Sequence, residues 1–204
     1  MKNLLITIST ATFLFTLLFL ANGLDAMAER NIAASYDLRA GPEYNFRKVK
    51  WGMSPEEVKS SENSVLINEA LVFEENPDIT NMLYHSNYFG VPGVLGYRFD
   101  KDKLVGAIFV FLQPIDAYQD LIRRSEHALG PYSFVGEDKQ ENEIYLLWKT
   151  DWADVALISY PMDTEKTEYK YRIEFYNPEL NKYDFVEPIN PSDYSPQFQA
   201  GPEY

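Results

Sequence analysis

The chain has 204 residues, with 18 basic against 31 acidic side chains, a net charge of −13 and no cysteine. An acidic surface repels phosphate backbones and anionic lipid headgroups, which argues against nucleic acid as a partner. Without cysteine there are no disulfides and no lipid-modified cysteine behind a secretion signal, so a lipid anchor is excluded.

The first 28 residues have the layout of a secretion signal. Lys2 gives a basic start, Leu4 to Ala21 carry no charge, and Ala26-Met27-Ala28 supplies the two small residues a signal peptidase requires. An uncleaved anchor is the alternative. A spanning helix needs about 20 apolar residues, and this run is slightly short. Cleavage after Ala28 removes Lys2 and Asp25, leaving 17 basic and 30 acidic residues, still −13. The mature chain has the length of one domain.

Residues 29–45 show no period and contain Gly41-Pro42, the pattern of an irregular arm. A domain is expected over 46–176. Ser54-Pro55-Glu56-Glu57-Val58 has a capping serine, a proline at the first helical position and the glutamate of a capping box, so a short helix is expected, ending near Glu62-Asn63. Strands are expected at Met82–Phe89, Leu95–Phe99 and Leu104–Leu112, with a polar turn at Asp100-Lys101-Asp102-Lys103. A second helix is expected between Pro114 and Gly130-Pro131. Its inner residues are Ile115, Tyr118, Ile122, Ser125 and Leu129, and Asp120 and Arg124 stand at i,i+4. A hairpin follows, Ile144–Trp148 and Val155–Tyr160, turning at Asp151-Trp152. In a last strand, Glu168–Tyr176, alternation places Tyr169, Tyr171, Ile173 and Phe175 inward and Glu168, Lys170, Arg172 and Glu174 outward. The order predicts an α+β domain, an antiparallel sheet of about six strands with two helices on one face. Residues 177–204 hold five of the 12 prolines and are expected as an extended tail, either disordered or laid across the domain.

The run Phe46-Arg47-Lys48-Val49-Lys50-Trp51-Gly52-Met53-Ser54-Pro55-Glu56-Glu57-Val58 resembles the opening of a family of secreted bacterial proteins with no assigned activity. Its Arg-x-x-x-Trp-Gly-Met-Ser-x-Glu-Glu-Val pattern opens their first helix. The Trp148…Trp152…Ile158 stretch is similar too, so the resemblance covers roughly 46–176. More distantly, the opening resembles small helix-plus-sheet envelope modules: the accessory lipoprotein of the β-barrel assembly machine and the β-lactamase inhibitor proteins. These bind proteins, which implies a binding role here. The chain lacks the lipidated cysteine of the first and the disulfides of the second. The motif also has a plain structural reading, with Trp51 packed under the helix start and Gly52 relieving crowding there.

Candidate chemistry is sparse. His85 and His127 stand apart, with no metal-ligand spacing around them. Nucleophile-elbow and phosphate-loop patterns are missing. The Asp100 turn lacks the spacing of a calcium loop. No metal or cofactor is expected. A carboxylate pair is always available among so many acids, so it carries no weight by itself. Aromatics are plentiful and suit core packing, sugar stacking or protein contact. Ala40-Gly41-Pro42-Glu43-Tyr44 recurs as Ala200-Gly201-Pro202-Glu203-Tyr204. Gly201, Pro202, Glu203 and Tyr204 are therefore candidate partner-binding residues, as a linear motif on the tail, with coincidence as the alternative. The expected function is an exported, non-enzymatic binding module of the periplasm or extracellular space, whose partner is an envelope protein or component. The alternative is a carboxylate-dependent hydrolase acting on a cell-envelope polymer.

Overall fold

The computed structural model of the chain describes residues 38–73, 76–112, 118–161 and 169–189. The signal segment, most of the arm, and Gly201, Pro202, Glu203 and Tyr204 lie outside the described residues.

Ser54 starts the first helix, α1 (Pro55–Ser61), as the sequence predicts. Its Oγ accepts from the Glu57 backbone N–H, and the Glu57 carboxylate accepts from the Ser54 N–H at 2.8 Å. That reciprocal pair satisfies two of the donors a helix start leaves open. Glu62 is the C-cap. The second helix, α2, spans Tyr118–Leu129. Its Leu121, Ile122 and Ser125 are buried and Asp120 pairs with Arg124 at 2.6 Å.

The strands are β1 (Val65–Phe73), β2 (Asn76–Tyr88), β3 (Val91–Asp100), β4 (Lys103–Phe111), β5 (Phe134–Asp138), β6 (Glu143–Lys149), β7 (Asp154–Pro161), β8 (Tyr169–Tyr176) and β9 (Glu187–Pro188). They form one antiparallel sheet in the order β1-β2-β3-β4-β8-β7-β6-β5-β9. The α+β class stands, but the sheet has nine strands rather than about six. The three extra ones carry weak signals. β1 reads VLINEALVF, without alternation, and its pairing with β2 shifts register three times. β5 has five residues and β9 two, ending in a proline that only an edge accepts.

The β3–β4 turn is tight because Lys101 and Asp102 both take positive φ, 48° and 61°, the geometry that matches the twist of flanking strands. Gly106 lets β4 and β8 approach. A Cβ there would stand 2.6 Å from the Tyr176 ring.

Both faces of the sheet are buried. On one, α1 and α2 set Val58, Leu121 and Ile122 onto Tyr97, Phe109, Trp148, Leu157 and Phe175. On the other, Leu83, Val94, Ile108, Leu147, Ala156 and Ile158 pack with Tyr183 and Val186. The predicted domain boundary at 176 therefore needs correction. Residues 177–189 belong to the domain: Pro178–Leu180 form a 3-10 turn, Tyr183 and Val186 are buried, and Glu187–Pro188 pair with β5. Proline spacing marked this segment as extended but carried no information about what it covers.

A second correction concerns β8. Arg172 and Glu174, expected outward, are each 1% exposed. Alternation assigns them correctly to the face opposite Tyr171, Ile173 and Phe175. That face is covered too, and the charges are paired within it. Arg172 donates to both Glu143 carboxylate oxygens at 2.7 and 2.8 Å and to Glu174 at 2.6 Å. Tyr183 donates to Glu174 at 3.1 Å, and Tyr145 to Glu143 at 2.6 Å.

Candidate functional site

Three loops meet at one end of the sheet. They are the segment before α1, the β6–β7 turn at 150–153, and the chain leaving β8. Between them lies an open cleft of about 470 Å³, lined by Asn45, Trp51, Gly52, Asp151, Trp152, Asn177, Pro178 and Glu179.

The cleft floor is built by local hydrogen bonds. Trp51 Nε1 donates to the Trp152 carbonyl at 2.8 Å. Asn45 Oδ1 accepts from Trp51 N–H at 2.9 Å, and Asn45 Nδ2 donates to the same Trp152 carbonyl at 3.3 Å. Thr150 closes the β6–β7 turn, its Oγ1 accepting from Ala153 N–H at 3.0 Å. Asn177 Oδ1 accepts from Glu179 N–H at 3.2 Å and starts the 3-10 turn. Trp51 leans on the helix-side core, as expected, but it also forms part of a surface recess. Gly52 does not relieve crowding: nothing lies within 4 Å of where its Cβ would be. Its role is conformational. A φ of 85° lets its N–H donate to the Leu104 carbonyl at 2.8 Å while Leu104 N–H donates to Met53 O at 2.8 Å.

Arg47 holds this loop to the rest of the fold. Its guanidinium donates to Glu62 at 3.2 Å, Ser64 Oγ at 3.2 Å, Ser86 Oγ at 2.6 Å and Asn87 O at 3.2 Å. Tyr97 OH also donates to Glu62, at 2.6 Å. Burial pushes the Glu62 carboxyl up, but the Arg47 charge and the hydrogen bonds from Tyr97 and Ser64 outweigh it and hold it below the usual range. Arg47 was legible only as part of a motif; its partners lie 15 to 40 residues away.

The first Ala-Gly-Pro-Glu-Tyr copy borders the cleft. Tyr44 N–H donates to Gly41 O at 3.1 Å, and Arg39 donates to the carbonyls of Pro42 and Tyr44. The Arg39 guanidinium lies 5.6 Å from the Trp152 ring centroid. In the second copy Gln199 stands where Arg39 stands in the first, so the group that closes this loop is not repeated.

The other candidates stay apart from the cleft. His85 lies on β2 opposite Val65 and Val94, and burial pushes its imidazole pKa down. His127 is exposed in the last turn of α2. Among the described residues no three His, Asp or Glu side chains are grouped to hold a metal ion. No helix of the described residues is long and apolar enough to cross a membrane. Sequence reasoning named Trp51 and Trp152 as parts of a resemblance but did not join them. The 101-residue separation of the Trp51–Trp152 bond explains why.

The fold and cleft define a class, an antiparallel α+β sheet with an open aromatic and acidic recess at one end. No family model, curated protein or solved structure matches the chain.

Proposed function

We propose that this chain is an exported, non-enzymatic binding module of the periplasm or extracellular space, and that its ligand, an envelope protein or component, sits in the Trp51–Trp152 cleft. The observation that carries this reading is the cleft itself: two indoles and two carboxylates on loops fixed by a rigid sheet end. Its volume falls in the range of about 300–1,000 Å³ usual for small-ligand sites, while its lining is more polar and more open than theirs. The resemblance of the Arg47–Val58 run to secreted bacterial proteins agrees with this role. So does the signal-like first segment.

The alternative, hydrolysis of an envelope polymer, draws on Asp151 and Glu179, which both line the cleft. A glycosidic general acid must keep its proton at neutral pH, and it does so through desolvation. Both carboxylates are exposed in an open recess, so the geometry favours holding over cleaving.

Capture from envelope extracts with residues 29–204 as bait tests the reading. The wild-type chain is expected to retain a component that the Asp151→Asn, Glu179→Gln double variant loses while keeping its unfolding midpoint. Equal capture by both chains would place the ligand elsewhere. Release of soluble fragments from purified envelope polymer would favour the hydrolase.

A further inference from the structure

We infer that the cleft is a saccharide site, taking an uncharged sugar by hydroxyl hydrogen bonding beside two indole rings. This rests on the proposed binding role and names its ligand class.

The inference comes from the hydrogen-bonding groups left over once the cleft has been built. Trp51 Nε1 and both ends of the Asn45 amide are used in the floor. Asn177 Oδ1 is used by the 3-10 turn. Among the described residues, the groups without a protein partner are Trp152 Nε1–H, Asn177 Nδ2 and the carboxylates of Asp151 and Glu179. That is a set of N–H donors and strong acceptors side by side. A hydroxyl both donates and accepts, so a polyol satisfies both kinds at once.

The other ligand classes each leave something unmatched. An anion meets two carboxylates, and among the described residues the neighbouring cation at the Trp152 ring, Arg39, already donates to the Pro42 and Tyr44 carbonyls. A cation matches the carboxylates but leaves the N–H donors unpaired, and at the Trp152 ring it meets Arg39, a like charge already stacked there at 5.6 Å. A wholly apolar ligand would strip water from two carboxylates without return. Trp51 and Trp152 are half-buried, and the indole surface left uncovered by the core and by Arg39 supplies apolar contact for the C–H groups of a sugar ring. Among the described residues the recess is open, which leaves room for further sugar units to run past it.

The test is isothermal titration of residues 29–204, with tryptophan fluorescence in parallel. The probes are cellotetraose and tetra-N-acetylchitotetraose, with tetralysine and tetragalacturonate as charged comparisons. At least one neutral probe is expected to bind saturably, with an affinity that changes less than about twofold between low and high salt, since no ion pair is screened. Asp151→Asn and Glu179→Gln each remove a charged acceptor and are expected to weaken it by about tenfold or more. Glu126→Gln on α2 should leave it unchanged. Failure of both neutral probes overturns the inference, as does tetralysine binding that alone is strong and falls steeply with salt. If the cleft double variant loses envelope capture while neither sugar binds, the saccharide assignment fails and the binding module stands. If capture is also unaffected, both fail.

Discussion

Arg172 is held by two carboxylates in a face with almost no water, and each member of the trio depends on the others. Replacing Arg172 with Met leaves Glu143 and Glu174 buried without their cation. A loss of about 3–5 kcal/mol is expected, read from urea unfolding. Replacing all three with apolar residues of similar volume is expected to cost less than Arg172→Met alone, because no lone charge remains. The same chemistry sets the acid limit. Burial pushes the Glu174 carboxyl up, but the charges of Arg172 and Lys182 and the hydrogen bonds from Arg172 and Tyr183 prevail and lower its pKa. Glu62 is lowered too. Groups with depressed folded pKa values stabilise the fold above their unfolded value, 4.5, and lose that contribution as pH falls through the folded one. The urea midpoint is therefore expected to change little through these groups from pH 7 to about 5.5 and to drop below about 4.5. Glu174→Gln should flatten the drop. Sequence alternation placed Arg172 and Glu174 on the right face. It could not show that this face is covered, because the covering residues Tyr183 and Val186 follow in a segment whose prolines read as a tail.

Among the elements, α1 and the β3–β4 and β6–β7 turns were legible, since a capping box, a charged four-residue turn and an Asp-Trp pair between two apolar runs are local signals. β1, β5 and β9 were not. The pairing of β1 is irregular, and β5 and β9 exist as strands only through each other and β6. The segment after β8 is where the reading changes most. A chain ending at Tyr176 loses the buried Tyr183 and Val186, the Tyr183–Glu174 hydrogen bond and the β9 pairing. Each buried apolar side chain contributes about 1.5–3 kcal/mol, so this truncation is expected to destabilise by several kcal/mol or to prevent folding. A chain ending at Ile189 retains those contacts and serves as the reference. Circular dichroism and urea unfolding of the pair would show it. Equal stability of the two would mean that the segment merely rests on the sheet. The cleft was half legible. Both tryptophans and Asp151 were noticed, yet only the closing of the sheet brings the β6–β7 turn against the loop before α1.

At the scale of the whole molecule, the signal-like layout of the first 28 residues leads to one expectation. Protein recovered from producing cells should begin at Glu29 by N-terminal sequencing, and a start at Met1 in membrane-bound material would mean an anchor instead. The strand order bears on how such a chain is made. β1 to β4 form one run of neighbours and β5 to β7 another, and the two runs are joined only by β8, which pairs with β4 on one side and β7 on the other. Seven strands thus precede the one that unites them. A chain delivered N-terminus first holds two half-sheets with open edges until residues 169–176 arrive. The last strand to join both halves acts as a keystone: before it is set, β4 and β7 each present an unpaired edge, and once it is set, those two edges close into one continuous sheet.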